Sequence, residues 1–135
     1  MAKRVLVIED DLLNRMFYCA TLEGNGFTVT ALEDGRTAVA TAREFAPDLV
    51  ITDIQLPHVS GLEMIAAMRR EPTLKDVPVL AVTAYVGKGE EARIRRAGAT
   101  DYLPKPVSMR PFMAAVERLL DGAGPAVPPA KRPAS

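Results

Sequence analysis

Five short runs of β-branched and aliphatic residues recur along the chain, each followed by a stretch with helical spacing. The runs are RVLVIE (4–9), FTVTAL (27–32), DLVITD (48–53), VPVLAVT (77–83) and the weaker DYLP (101–104). Alternation within them is slight, which fits strands covered on both faces, as in a parallel sheet. The stretches between them carry helix signals. Residues 12–23 place Leu13, Met16, Phe17 and Ala20 at helix spacing, with Asp11 as N-cap and Gly24 as a stop. A second helix follows Asp34 over 35–46 and ends before Pro47. SGLE (60–63) is a capping box opening a third helix that runs to Arg70. Residues 87–97 form a fourth, closed by Gly98, with Glu91 and Arg95 as an i,i+4 pair on its wet face. Ser108 caps a fifth, in which Met109, Phe112, Met113, Val116, Leu119 and Leu120 make one apolar stripe. Five strand–helix repeats predict an α/β fold with a parallel sheet and right-handed crossovers.

At 135 residues the chain is one domain's worth. The expected domain is 1–121. Residues 122–135 differ in character: ten of the fourteen are Gly, Ala or Pro, which reads as a disordered tail. Lys plus Arg and Asp plus Glu both total 17, so no net charge draws the chain to nucleic acid or an acidic membrane. The tail offers one Lys-Arg pair, and no helix-turn-helix pattern accompanies it. No apolar run approaches the ~20 residues that span a bilayer. The start, MAKRVLVIEDD, has acids where a signal peptide would continue its apolar stretch. The lone Cys19 forms no internal disulfide and reads as core filler in a reducing compartment. A cytoplasmic domain is the expectation.

The acids sit at telling places. The first strand ends at Glu9 and Asp10, and the third ends at Asp53. In open α/β sheets the binding crevice lies beyond the carboxyl ends of strands, where the strand order reverses. If the first and third strands flank that reversal, three carboxylates meet there. Like charges at close range raise one another's pKa and destabilise a fold unless a cation joins them. Oxygen ligands of this kind suit Mg²⁺. Thr83 and Lys105 end the two other strands on that side, a hydroxyl and an ammonium suited to an arriving anion.

VLVIEDD, DLVITDIQLPHVSGLEM, PVLAVTA and AGATDYLPKP stand in the order and spacing of a response-regulator receiver domain. The chain resembles that CheY-like superfamily from residue 3 to about residue 120. VTAYVGKGEEARIRRAG is similar to single-domain cell-cycle receivers of the DivK type. The resemblance implies a flavodoxin-like doubly wound five-stranded parallel sheet, order 2-1-3-4-5, with helices on both faces.

It also implies roles. Asp53 matches the phosphoacceptor, Glu9 and Asp10 the acidic pair, Thr83 the switch hydroxyl, Tyr102 the switch aromatic and Lys105 the family's lysine. The implied Mg²⁺ site consists of Asp10, Asp53, the main-chain carbonyl of Gln55 and a water bonded to Glu9. A cis Lys105–Pro106 bond is implied as well. The implied partner is a sensor histidine kinase or a histidine phosphotransfer protein, with the signal leaving by protein contact rather than by substrate turnover. A homodimer through the fourth helix, fifth strand and fifth helix is a further expectation, using Arg93, Arg95, Arg96, Arg110, Glu90, Glu91 and Glu117.

On pattern alone, Tyr102 reads as an ordinary half-buried aromatic and His58 as a surface residue rather than a phosphate carrier, while Thr83 is equally a β-branched strand residue. Thr52 and the bulky Tyr85 depart from many receivers, and Tyr85 suggests slow self-dephosphorylation. Two other functions compete. A flavodoxin-type FMN electron carrier shares the strand order, but an acidic first loop would repel the FMN phosphate. A hydrolase with an aspartyl nucleophile would want an acid where Gln55 stands.

Overall fold

The computed structural model describes residues 2–84, 87 and 89–122. Its elements are β1 (Arg4–Ile8), α1 (Leu12–Gly24), β2 (Thr28–Leu32), α2 (Ala38–Phe45) and β3 (Leu49–Asp53). They continue with α3 (Gly61–Arg69), β4 (Val79–Thr83), α4 (Glu90–Ala97), β5 (Asp101–Pro104) and α5 (Met109–Leu120). The sheet is parallel in the order β2-β1-β3-β4-β5, as the resemblance implies. The tail expectation for 122–135 falls outside the described residues apart from Gly122.

Successive strand side chains point to opposite faces, and the two faces build two cores. Leu6, Ile8, Val50, Val79 and Ala81 pack with Ala38 and Ala42 of α2, Met64, Ile65 and Met68 of α3, and Ile94 of α4. Val5, Val7, Leu49, Ile51, Leu80 and Val82 pack with Tyr18 and Leu22 of α1 and Phe112, Val116 and Leu119 of α5. The three central strands are therefore dry on both faces, while the edge strands β2 and β5 keep exposed positions. Thr52 stays in the dry interior because its hydroxyl donates to the carbonyl of Asp53, 2.9 Å away.

Four helices differ from the sequence expectation. In α1 the buried residues are Tyr18, Thr21 and Leu22, whereas Leu13 and Met16 are 74% and 56% exposed. The helix has two candidate apolar faces, and the one holding Tyr18 wins because that ring stacks on Phe112 at 5.1 Å between centroids. Leu12, Leu13 and Met16 are left in solvent as a consequence. The helix α2 starts at Ala38 rather than 35, because the Asp34 carboxylate accepts from the Arg36 N–H at 2.8 Å and holds 34–36 in a turn. The helix α4 starts at Glu90 rather than 87, after Gly89 at φ +84°. Ser108 is at the N-cap of α5, but its hydroxyl makes no capping bond. The Ser60–Glu63 capping box on α3 forms in full, and Asp11 caps α1 through the Asn14 N–H at 2.9 Å.

Close approaches at its two ends tie α3 to the two ends of the sheet. The Gly61 N–H donates to the Ile54 carbonyl at 2.8 Å, so α3 begins directly against the end of β3. A Cβ at Gly61 would collide with the Asp53 carbonyl oxygen and with backbone atoms of Ile54. Arg69, at the other end of α3, donates to the carbonyls of Val77 at 2.7 Å and Gly98 at 2.9 Å, joining α3 to the entry of β4 and the end of α4. Gly61→Ala is therefore expected to lose about 1–3 kcal/mol by overpacking against unyielding backbone. Urea unfolding measures this, and a variant as stable as the parent would show that the loop gives way without cost.

Candidate functional site

The site is a product of sheet register. Ile8 pairs with Thr52, so Glu9 follows into the position beside Asp53. Asp53 pairs with Val82, which sets Thr83 one step beyond it on the next strand. Thr83 pairs with Pro104, and Lys105 follows directly. Four neighbouring strands thus deliver one polar residue each to a single edge, as the sequence pattern predicts.

The carboxylates of Glu9, Asp10 and Asp53 bring one oxygen each within 4.8 Å of the others. Glu9 is wholly buried and Asp53 is 4% exposed, while Asp10 lies at the surface. The Lys105 ammonium donates to Asp53 Oδ2 at 2.7 Å and lies 3.2 Å from Glu9 Oε1. The Gln55 N–H donates to Asp53 Oδ1 at 3.1 Å, and the Asp11 N–H to Glu9 Oε2 at 3.0 Å. Glu9 Oε1 has the Lys105 charge near it but no hydrogen bond among the described residues, the ammonium donating instead to Asp53 Oδ2 and, at 3.4 Å, to Glu9 Oε2. A buried carboxylate oxygen left in that state, beside two further carboxylates, fits a hard divalent cation.

The electrostatics agree. Burial pushes the Glu9 carboxyl above its ordinary range; the Asp11 N–H opposes this, the Asp53 charge adds to it and Lys105 opposes it. Burial works to lower the Lys105 ammonium. The hydrogen bond and charge of Asp53, followed by those of Glu9, outweigh burial and hold the group above its ordinary value.

Thr83 is wholly buried at the end of β4, and its carbonyl accepts from the Lys105 N–H at 2.8 Å. The Lys105–Pro106 bond is cis. Tyr102 is half-buried on β5 with its hydroxyl 3.4 Å from Glu91 Oε1, and the Arg95 guanidinium lies 5.7 Å from its ring centroid. Burial, then Glu91, raises the pKa of this phenol. His58 is exposed in the loop after β3 at φ +69° and is not part of the acid cluster. Tyr85 lies outside the described residues.

The sequence reading missed two features. Arg15, in α1, donates to the carbonyls of Glu9 at 2.8 Å and Asp10 at 3.4 Å. Its signal was available, because helical side chains lean toward the N-terminus and a first-turn arginine reaches back over the preceding loop. The second feature is an ion-pair chain across α4, β5 and α5. Arg95 pairs with Glu91 at 3.0 Å, as expected, but also with Asp101 at 3.4 Å, and Asp101 pairs with Arg118 at 3.0 Å. Glu90, expected on a partner-facing surface, is instead buried and pairs with Arg93 at 2.8 Å.

Lys105→Met leaves Glu9 and Asp53 facing each other without their cation. Without divalent ions it should lose about 3 kcal/mol at neutral pH, the lower end for breaking a buried pair because Lys105 keeps some solvent contact. Lys105, held above its ordinary pKa, contributes stability that is complete below the unfolded value and lost as pH rises through the folded one. Glu9, also raised, works oppositely: its ionisation costs stability as pH rises through the carboxylate range. The deficit of the variant should therefore shrink as pH falls through the carboxylate range and Glu9 takes up its proton. Urea unfolding across this range checks it, and a deficit that persists or grows in acid would contradict the assignment.

The sequence matches the response regulator receiver domain family over residues 5–117. The polar-differentiation response regulators DivK of Brucella anthropi and Brucella melitensis are each 39% identical over 123 residues, covering 91% of this chain and 100% of theirs. Among solved structures, the chemotaxis response regulator CheY4 of Vibrio cholerae has a TM-score of 0.84 at 28% identity, covering 88% of this chain and 99% of that one. The receiver domain of a sensor histidine kinase from Pseudomonas aeruginosa, with a magnesium ion coordinated in its active-site cleft, has a TM-score of 0.83 at 28% identity, covering 90% and 99%. An FMN carrier is not favoured, since carboxylates fill the crevice where a flavin phosphate would need donors. Sheet order, strand-edge chemistry and sequence converge, and the chain is a DivK-like member of the response regulator receiver domain family, a signalling domain of two-component phosphorelays.

Proposed function

We propose that this receiver takes its phosphoryl group on Asp53 from a phosphohistidine of a sensor histidine kinase or histidine phosphotransfer protein. The observation that carries the reading is the nearly buried Asp53 carboxylate, held between the Lys105 ammonium and the Gln55 N–H at the meeting point of four strand ends. An Asp53 oxygen forms the new O–P bond as the P–N bond of the donor breaks, and the imidazole leaves with the bonding pair. The product is an acyl phosphate. Such a transfer depends on positioning and charge neutralisation more than on covalent help from the protein. Asp10, Asp53, the Gln55 carbonyl and, through water, Glu9 would hold Mg²⁺, which supplies positive charge against the phosphoryl oxygens. Lys105 orients Asp53 beforehand and neutralises part of the acid cluster. The domain catalyses no more than its own phosphorylation and dephosphorylation.

An approaching donor finds apolar surface beside the acids. Leu12, Leu13 and Met16 at the N-terminal end of α1, and Met109 at that of α5, are each more than half exposed. Both helices pack on one sheet face and begin at the edge where the acids lie. No helix among the described residues is long and apolar enough to cross a membrane, and we place the domain in the cytoplasm with its kinase partners.

The output leaves by the face of α4, β5 and α5. Phosphorylation adds about −1.5 to −2 charges and three acceptor oxygens beside Thr83 and Lys105. Thr83 turns to those oxygens and Tyr102 moves into the space that opens. A near-complete switch requires ~5.5 kcal/mol of differential stabilisation. Because Arg95, Glu91, Asp101 and Arg118 bind one another within the domain, and Arg93 is paired with Glu90, a homodimer on this face relies on Arg96, Arg110 and Glu117 and is weak.

Acetyl phosphate with Mg²⁺ should add one phosphoryl group by intact-mass spectrometry, and Asp53→Asn should take none. Undiminished labelling of Asp53→Asn would overturn the site.

A further inference from the structure

The turn between β1 and α1 carries two of the three clustered carboxylates, and its main chain is held from several sides. The Glu9 N–H donates to the Leu32 carbonyl at 3.0 Å, anchoring the turn to β2. The Asp11 N–H donates to the Glu9 carboxylate at 3.0 Å, and the Asp11 carboxylate caps α1. The carbonyl side of the turn belongs to Arg15. One nitrogen of its guanidinium donates to the Glu9 carbonyl at 2.8 Å and to the Asp10 carbonyl at 3.4 Å. These carbonyls belong to the peptide groups on either side of the Asp10 Cα, so their orientation sets where the Asp10 side chain departs. Asp10 itself is exposed.

We propose that Arg15 is a positioning residue for the divalent-cation site, holding the Asp10 carboxylate toward Glu9 and Asp53 by fixing the two flanking peptide planes. The proposal rests on the reading of this cluster as a Mg²⁺-assisted phosphoryl acceptor and adds to it a residue that touches neither the cation nor the phosphoryl group. Charge-assisted bonds from a guanidinium are stronger than neutral ones, and here they act on main chain, whose displacement would move the carboxylate with it. Groups that orient metal ligands from outside typically change metal affinity 10–100-fold when removed.

The charge of Arg15 gives the test a sign. A guanidinium near a cation site repels the cation, so through-space electrostatics alone would make Mg²⁺ bind more tightly once Arg15 is neutralised. Positioning requires the reverse. Isothermal titration of the full chain with Mg²⁺ should show about tenfold weaker binding in Arg15→Met. Arg15→Lys, which keeps a donor of similar reach, should recover part of the loss. The metal-free melting temperature of Arg15→Met should stay close to that of the parent. Its labelling rate with acetyl phosphate should return to the parent's at saturating Mg²⁺, because placement of the cation and not the transfer itself is affected. If Arg15→Met does not fold, Arg15→Gln, too short to span the same gap, carries the same expectation. Unchanged or tighter Mg²⁺ binding in the neutral variants would overturn the proposal. A parent protein that binds no Mg²⁺ would instead overturn the reading on which it rests, and the proposal with it.

Discussion

One ammonium holds the functional end of this domain together. Lys105 reaches from the loop after β5 to carboxylates at the ends of β3 and β1, 2.7 Å from Asp53 and 3.2 Å from Glu9. Without a cation these two nearly dry acids would repel each other across adjacent strands. With it, three sequence-distant segments are joined at the edge where the sheet has no further hydrogen bonds to make. The neutralisation is incomplete, since one amine faces a cluster of three carboxylates and Glu9 keeps an oxygen without a hydrogen bond. That residue of uncompensated charge is the physical basis for a cation site.

The site follows from parallel pairing more than from any local motif. Each strand ends at nearly the same level, so its last residue (Asp53, Thr83) or the one after it (Glu9, Lys105) lands on a common rim. The dry strands below supply rigidity, and the close approach of Gly61 to the end of β3 leaves the Asp53 backbone little freedom. Farther along the rim, Tyr102 is embedded between the core beneath α4 and the Glu91–Arg95–Asp101–Arg118 chain. Tyr102 thus joins the α4–β5–α5 face to the packed core below it.

The legible parts of the sequence were those governed by period and by chain order. β-branched runs gave the strands, and the acids, Thr83 and Lys105 were visible as polar residues at their ends. Choices between near-equal alternatives were not legible. Leu13 and Met16 have the spacing of a buried face, yet Tyr18 and Leu22 take the interior because Phe112, ninety-odd residues away by chain order (about 3.3 Å per residue if extended), offers a ring to stack on. The turn at Asp34 competes with helix through a bond to Arg36 that propensity does not weigh. Arg95 was readable as the partner of Glu91, but its second bond to Asp101 depends on β5 lying alongside α4.

The central claim is that unneutralised carboxylate charge at this rim makes a single divalent-cation site built into the folded state. Unfolding free energy measured by urea against Mg²⁺ concentration tests it most directly. A site present only in the native state stabilises by RT ln(1 + [Mg²⁺]/Kd), about 2.7 kcal/mol at a hundredfold excess over Kd. The wild-type protein should follow that curve, and Asp10→Ala should not respond to Mg²⁺ while being no less stable in its absence. Wild-type stability that ignores Mg²⁺, or an Asp10→Ala variant that gains as much as the wild type, would contradict the account.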